Sequence, residues 1–523
     1  MLPKRSIFHS ALLLTAIDLL LRGVSMVFQV YLSGRAGAAG LGLLQLVAAV
    51  GALAMTLGLS GVRTAAMYLC AEEYGRRRFA GMRRAMELCI LWGAVCSAAA
   101  SGALWLLSGT LARAWIRDVR AASGLRILAL SLPLRCYVSI LCGYFTACGR
   151  VRRLALVEVA EQLSSLVFTL LLLPRADGAE HACCAILLGG FAASGVSGVW
   201  LTCLLRRDFR KYGPAARGLS LGRRLLKLCV PLAFGDYLRS GLRTLEQLLI
   251  PLGLSRAAGS SEAAMAAYGT VHGMVFPILM FPAAILYVLS DLLVPELARC
   301  RAVDDARRIR ALSERCLRFG TVFACAVAAL QFLLAEPLGL LLYKSRAAGN
   351  YLRLFAPLIV ILYPDAIVDG MCKGLGQQVA CVRNNTITSV MDVVMLYFLL
   401  PRLGMSGYIL TFTVTHAVNF YLSLRLLMDA SECSPQPVFL LKTLLCVMLS
   451  GGCCLLLPRQ ESALRQIFRT CAVFLTLYPS LLTLTDALPP EERRWLRRTL
   501  LPPRAALTFR KKRRTMEKIR HVR

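Results

Sequence analysis

The chain has 523 residues, of which 57% are hydrophobic and only 17% charged, whereas soluble domains carry about 25% charged residues. Lys and Arg outnumber Asp and Glu by 61 to 29, which gives a formal net charge of +32. This composition excludes a disordered chain, a coiled coil and a collagen-like fibre, and it argues against a soluble enzyme. A basic excess on so apolar a chain is typical of a polytopic membrane protein whose cytoplasmic loops hold Lys and Arg, and not of a nucleic-acid binder.

Fourteen apolar stretches follow one another along the chain, each near the roughly 20 residues that a membrane-spanning helix needs. In chain order they are residues 7–32, 41–69, 85–107, 125–147, 154–173, 182–205, 225–254, 263–294, 317–343, 351–375, 385–400, 408–427, 438–457 and 464–484. Long continuous apolar runs cross lipid as helices, because every backbone polar group must find a partner inside the segment. The sequence therefore predicts an all-α polytopic membrane protein without a soluble domain.

Charge and internal symmetry predict how the spans are organised. Lys and Arg concentrate in the even-numbered connectors and in both tails, which predicts cytoplasmic N- and C-termini. Spans 1 and 7 each follow a basic segment and each carry an acid before an arginine, which indicates two halves in a parallel repeat. The predicted units are an N-terminal lobe of spans 1–6 (1–205), a basic cytoplasmic linker (206–224), a C-terminal lobe of spans 7–12 (225–428), spans 13 and 14 (429–486) and a basic cytoplasmic tail (487–523). The tail is expected to contact anionic membrane lipids, to which each basic residue contributes about 1 kcal/mol.

Ionisable side chains inside the spans carry the functional signal. Each costs about 2.5–3.5 kcal/mol at mid-membrane, so it normally faces a partner or a cavity. On span 1, Asp18 and Arg22 are four residues apart and can pair on one face. Span 7 carries a polar stripe at steps of three, four and three residues: Asp236, Arg239, Arg243 and Glu246.

Two interpretations of these charges stay open at the level of sequence: salt bridges that only fix helix packing, or a hydrated central cavity with a net positive lining. In the second, the cations bind an anionic substrate, and arginine suits phosphate because its planar guanidinium makes paired hydrogen bonds. The candidate substrate-binding residues are Arg22, Arg63, Arg239 and Arg243. The candidate supporting or ion-coupling acids are Asp18, Asp236, Glu246 and Glu158.

Motifs for catalysis or for a bound metal are missing from the sequence. Most of the 20 cysteines lie in apolar runs, and no C-x-x-C pair or zinc-type Cys/His spacing occurs, so cysteine is interpreted as a small apolar filler. There is no G-x-x-x-x-G-K-[ST] phosphate loop, no G-x-S-x-G and no H-E-x-x-H. We therefore predict neither an enzyme nor a cofactor.

Four stretches resemble the multidrug/oligosaccharidyl-lipid/polysaccharide exporter superfamily, and within it the polysaccharide-transporter branch that includes stage V sporulation protein B. They are GRAGAAGLG at 34–42, GMVFPILMFP at 273–282 followed by LSDLLVPE at 289–296, GMCKGLGQ at 370–377, and the pair Asn384-Asn385 with LPRLGMSGY at 400–408. The resemblance covers residues 6–486. The chain departs from the branch in its richness in Arg and Cys and in its long basic tail.

The resemblance implies a flippase with two lobes around a central cavity, located in a bacterial cell membrane. Its substrate would be an undecaprenyl-linked saccharide or a lipid II-like peptidoglycan precursor, for cell-wall, spore-cortex or surface-polysaccharide synthesis. Transport would be coupled to protons, sodium or the membrane potential. One chain with two lobes needs no second copy, so a monomer is expected.

Two alternatives to a flippase follow from the same residues. A cation-coupled multidrug exporter of the superfamily would have an acid-dominated cavity and normally twelve spans, against the arginine-rich stripe and fourteen spans predicted here. A non-transporting membrane scaffold of wall synthesis would tolerate substitutions of the cavity residues.

Overall fold

The computed structural model describes residues 4–175, 178–212, 220–434, 437–458 and 462–487, and only the backbone of residues 4–19. All regular secondary structure in these ranges is helical. The side chain of Asp18 and the basic tail beyond residue 487 lie outside the described residues, as does the middle of the predicted linker at 213–219.

The N-terminal part of the chain forms six α-helices, and Arg63 lies in the second of them. They are α1 (Lys4–Leu59), α2 (Val62–Gly75), α3 (Phe79–Leu111), α4 (Ala121–Ala147), α5 (Val151–Leu172) and α6 (Gly178–Tyr212). Gly37, at φ +68° and ψ 176°, separates two helical parts of α1 and lies in the glycine-rich segment between predicted spans 1 and 2. A second break lies inside predicted span 2, at Ser60 and Gly61.

Gly61 explains where this break falls. Its φ is +71°, a conformation that glycine adopts without strain. A β-carbon at this position would lie 3.0 Å from the carbonyl oxygen of Cys229 on the facing helix. The end of α1 and the start of α2 can therefore approach that helix closely only with glycine here.

Twelve further α-helices follow in the described residues. They are α7 (Ser220–Ala258), α8 (Ser261–Thr270), α9 (Phe276–Met280), α10 (Ala284–Ala302), α11 (Ala306–Leu333), α12 (Ala335–Tyr343), α13 (Arg346–Phe355), α14 (Ile359–Gly374), α15 (Gln378–Leu403), α16 (Met405–Ser431), α17 (Pro437–Leu455) and α18 (Ala463–Leu484). Predicted span 8 is interrupted by a π-helical turn at Val271–Val275 and by a turn around Pro282. Predicted span 10 is interrupted at Pro357, in a single 3₁₀ turn. Proline removes a backbone donor and disrupts the helix, which accounts for both proline sites.

The helices confirm the predicted all-α membrane fold. Eleven of those in the described residues are long and apolar enough to cross a bilayer. The long helix α7 is not among them, and it carries the predicted polar stripe. The total of fourteen spans, the lobe boundaries and the cytoplasmic termini stay predictions.

One large apolar cluster joins α1 and α4 to α8, α10, α11 and α14–α16, and a second joins α2–α4 to the ends of α6 and α7. Helices α17 and α18 form a small separate cluster against α11. All 20 cysteines lie in the described ranges, and none forms a disulfide. Most of them are buried, as expected for apolar filler.

Candidate functional site

A cavity of about 300 Å³ lies where the end of α1 and the start of α2 face the middle of α7. Three of the four predicted arginines and one predicted acid line it: Arg63, Arg239, Arg243 and Asp236. Small polar and apolar residues complete the wall: Ala52, Thr56, Leu59, Gly61, Thr64 and Ser240. With three cations and one carboxylate, the lining has an excess of positive charge.

The local structure explains why these side chains meet. Arg239 and Arg243 are one turn apart on α7, so they share a face with each other. Arg63 is the second residue of α2 and leaves the backbone just after the Gly61 break. The first backbone N–H groups of a helix lack intrahelical partners and carry a partial positive charge, so the start of α2 adds to the positive potential of the cavity.

Hydrogen bonds hold α1 against α7 beside the cavity. The hydroxyl of Thr56 donates to Ser240 Oγ over 3.1 Å, and Thr244 donates to the carbonyl oxygen of Ala49 over 3.4 Å. Within the described part of the chain, none of the three arginines has a carboxylate within 4.0 Å. Among the described residues, these arginines therefore face the cavity and form no salt bridge.

Arg22 lies elsewhere. Its guanidinium carbon is 5.8 Å from the centre of the Tyr287 ring on α10, a distance at which cation–π attraction operates. It does not line the cavity. Whether it pairs with Asp18 lies outside the described side chains.

Glu158 and Glu161 of α5 lie near the arginine cavity, on its α4–α5 side. Cys142 of α4 is close to Arg63 and to both glutamates. Glu161 accepts a hydrogen bond of 3.1 Å from Ser194 of α6. The acids on this side oppose part of the positive charge of the cavity, at the Arg63 end.

Glu246, the last member of the α7 stripe, is in a separate buried cluster. Its carboxyl group lies within hydrogen-bonding reach of Asp392 on α15. Thr415 of α16 donates to Asp392 Oδ1 over 2.9 Å, and Asp392 is only 7% exposed. Two carboxylates in contact repel each other unless a proton or a metal cation lies between them. A proton shared between the two carboxyl groups would relieve this repulsion.

Three charged side chains inside the predicted spans were not among the candidates selected from the sequence. Asp392 is the partner of Glu246. Asp365 of α14 accepts a 3.0 Å hydrogen bond from Asn419, and its other oxygen is buried without a partner in the described residues. Arg135 of α4 packs its guanidinium against Gly190, where a β-carbon would be 2.8 Å from it. All three are charges inside predicted spans, so the rule that selected the span 7 stripe would also have found them.

Residues 15–171 match the MatE family. Stage V sporulation protein B of Bacillus subtilis (strain 168) is 22% identical over 420 residues, which cover 78% of this chain and 80% of that protein. The predicted resemblance to the multidrug/oligosaccharidyl-lipid/polysaccharide superfamily is thereby confirmed.

Solved structures share the fold. Lipid II flippase MurJ in an inward closed conformation superposes with a TM-score of 0.72 at 10% identity, covering 91% of this chain and 98% of that one. An inward-facing multidrug resistance MATE family transporter of the MOP superfamily gives a TM-score of 0.57 at 14% identity, covering 80% of this chain and 100% of that one. The chain is thus a multi-pass membrane protein with the fold of MOP-superfamily transporters.

Proposed function

We propose that this protein is a flippase for an anionic lipid-linked saccharide, either an undecaprenyl-linked oligosaccharide or a lipid II-like peptidoglycan precursor. The observation that carries the proposal is the cavity lined by Arg63, Arg239 and Arg243, to which the described part of the chain offers no ion-pair partner. A diphosphate offers several acceptor oxygens to guanidinium donors, and charge-assisted hydrogen bonds of this kind are strong. The similarity to stage V sporulation protein B and to lipid II flippase MurJ supports a role in envelope synthesis.

Transport would proceed by alternating access, with helices of the two predicted lobes separating first on one side of the membrane and then on the other. The diphosphate would bind the cavity arginines, while Asp236 limits how tightly they hold it. Membrane potential, protons or sodium would drive the cycle. The pair of Glu246 and Asp392 supports a proton in that role, because Glu246 lies on the same helix as Arg239 and Arg243.

A multidrug exporter is the second candidate, since the fold is shared with MATE family transporters. Cationic drugs would need a cavity dominated by acids. The described lining has three arginines against one aspartate, and this positive excess disfavours such ligands through like-charge repulsion.

The test is a flipping assay in proteoliposomes with lipid II and, separately, an undecaprenyl-linked glycan. We expect Arg239→Ala/Arg243→Ala to lower the transport rate about tenfold or more, because hydrogen bonds to charged groups contribute about 1.5–3 kcal/mol each. The matched control removes two exposed arginines outside the cavity, Arg346→Ala/Arg402→Ala, and should transport normally. Normal transport by the cavity variant would show that these arginines do not bind substrate, and no transport of either lipid by the folded wild type would favour an exporter or a scaffold.

A further inference from the structure

A second cavity of about 240 Å³ adjoins the arginine cavity and differs from it in chemistry. Apolar and aromatic residues of α3 and α7 form most of its wall, together with Ser60 at the α1–α2 break: Trp92, Cys229, Val230, Ala233, Phe234 and Tyr237. None of the described residues that line it is charged. We refer to it as the apolar pocket.

The two cavities lie side by side, because residues that are adjacent in the chain line one cavity and the other. Gly61 lines the arginine cavity and Ser60 the apolar pocket; on α7, Asp236 lines the first and Tyr237 the second. A ligand that fits both cavities would therefore have an anionic group in the arginine cavity. An apolar group bonded to that anionic group would lie in the apolar pocket.

Two of the polar groups in the wall of the apolar pocket are hydrogen-bonded to each other, so an apolar ligand would not leave them without a partner. The hydroxyls of Ser60 and Tyr237 are 2.5 Å apart and hydrogen-bond each other. The indole N–H of Trp92 is buried and has no hydrogen-bond partner among the described residues. No described residue accepts a hydrogen bond from this donor, which leaves it for an oxygen of the ligand.

One side of the apolar pocket is open. Val230 is 61% exposed and Phe234 72% exposed, one helical turn apart on α7. A chain longer than the pocket could leave along these two side chains without crossing the charged cavity.

We propose that the apolar pocket binds the prenyl segment that adjoins the diphosphate of the lipid carrier, while the diphosphate occupies the arginine cavity. This inference rests on the proposed function and refines it, because it places the junction between headgroup and lipid at the Ser60–Gly61 break. A prenyl chain suits the pocket because burial of each methylene is favourable by about 0.8 kcal/mol in an apolar site. The charge of the neighbouring cavity selects a lipid with an anionic end over a neutral one.

The experiment compares the binding of inorganic pyrophosphate and geranyl diphosphate to the purified full chain in nanodiscs. The wild type is expected to bind geranyl diphosphate at least about tenfold more tightly than pyrophosphate. Phe234→Ala should remove most of that difference and leave pyrophosphate affinity unchanged. Trp92→Phe, which keeps the packing and removes the N–H, should weaken geranyl diphosphate binding to a smaller extent. Phe398→Ala removes an aromatic ring of similar exposure on α15 and serves as the control.

Each outcome separates the inference from the function on which it rests. Equal affinities for the two ligands, or a tenfold difference that persists in Phe234→Ala, would overturn the prenyl site and leave the anion site intact. Loss of pyrophosphate binding only in Arg239→Ala/Arg243→Ala would support the arginine cavity. No pyrophosphate binding by the wild type would contradict the proposed function and this inference together.

Discussion

Arg239 and Arg243 face the arginine cavity from α7, while Arg63 reaches it from α2, which begins one residue earlier, at Val62. Bringing three guanidinium groups together costs energy through mutual repulsion, and Asp236 in the lining, with Glu158 and Glu161 at the Arg63 end, offsets only part of it. Among the described residues no ion pair relieves this repulsion. An anionic substrate bound in the cavity for part of the transport cycle would relieve it. The repulsion between these arginines thus favours substrate recognition over helix packing as their role.

At the same scale, Glu246 and Asp392 are expected to act on coupling and not on substrate binding. In Glu246→Gln or Asp392→Asn, a neutral amide replaces one carboxylate. The repulsion between the two carboxylates, which favours binding of a proton or sodium ion, is then lost. We predict that pyrophosphate affinity changes less than twofold while transport loses its dependence on the ion gradient. Flipping rates with and without an imposed proton or sodium gradient check this, with Glu262→Gln on the exposed face of α8 as the control. Retained gradient dependence in both variants would rule out the cluster as the coupling site.

At the scale of elements, α1 and α8 meet through glycines. A β-carbon at Gly269 would lie 1.9 Å from the carbonyl oxygen of Ala38 and 2.6 Å from the backbone nitrogen of Gly42. Small residues permit such approach between membrane helices. We expect Gly269→Ala to force the helices apart and to destabilise the fold by about 1–3 kcal/mol, as overpacking does.

The thermal unfolding midpoint in detergent measures this effect. Gly102→Ala on α3 is the matched control, since nothing lies within 4 Å of its β-carbon and alanine there should raise helix stability by up to about 1 kcal/mol. An unchanged midpoint for Gly269→Ala would mean that the α1–α8 contact is looser than the structure has it.

An ion pair connects α2 to the start of α7. Arg224 Nη2 is 2.7 Å from Glu72 Oε2, and Arg76 also contacts this carboxylate at 2.8 Å. The hydrogen bond from Arg224 lowers the pKa of Glu72. Because the folded-state pKa is below the unfolded one, the pair's contribution is present at neutral pH and is lost as the pH falls through the lowered value.

We therefore predict that Glu72→Gln lowers the unfolding midpoint at pH 7 by a small amount and that the difference from wild type vanishes in acid. The charge swap Glu72→Arg/Arg224→Glu should restore part of the loss seen in either single swap. Unfolding curves over a pH series measure both effects. An equal midpoint for Glu72→Gln and wild type at every pH would show that solvent screening cancels the pair.

The sequence predicted helices better than it predicted where they bend. Apolar length alone indicates helices, because a lipid-spanning segment has few alternatives. The break at Ser60–Gly61 could not be predicted, since the glycine is needed only because the backbone of α7 lies opposite it. The α7 stripe was predictable from spacing, but its division between the arginine cavity and the Glu246 cluster depends on which helices pack on each side.

At the scale of the whole molecule, the contacts near the cavity connect the two predicted halves. Gln29 of α1 donates to the carbonyl oxygen of Gly273 over 3.0 Å, in the π-helical turn that follows α8. Thr56 of α1 bonds Ser240 of α7 next to the arginines. In an alternating-access cycle, contacts of this kind must open once per turnover.

A reversible cross-link between α1 and α7 tests that requirement. The side-chain oxygens of Thr56 and Ser240 are 3.1 Å apart, so cysteines at both positions are close enough to form a disulfide. We predict that oxidised Thr56→Cys/Ser240→Cys loses most transport and recovers it after reduction, because the tie prevents α1 and α7 from separating. Each single cysteine variant, treated with the same oxidant, controls for the 20 native thiols. Full transport by the oxidised double variant, with the cross-link demonstrated by mass spectrometry, would mean that α1 and α7 move as one body and that the substrate passes without separating them.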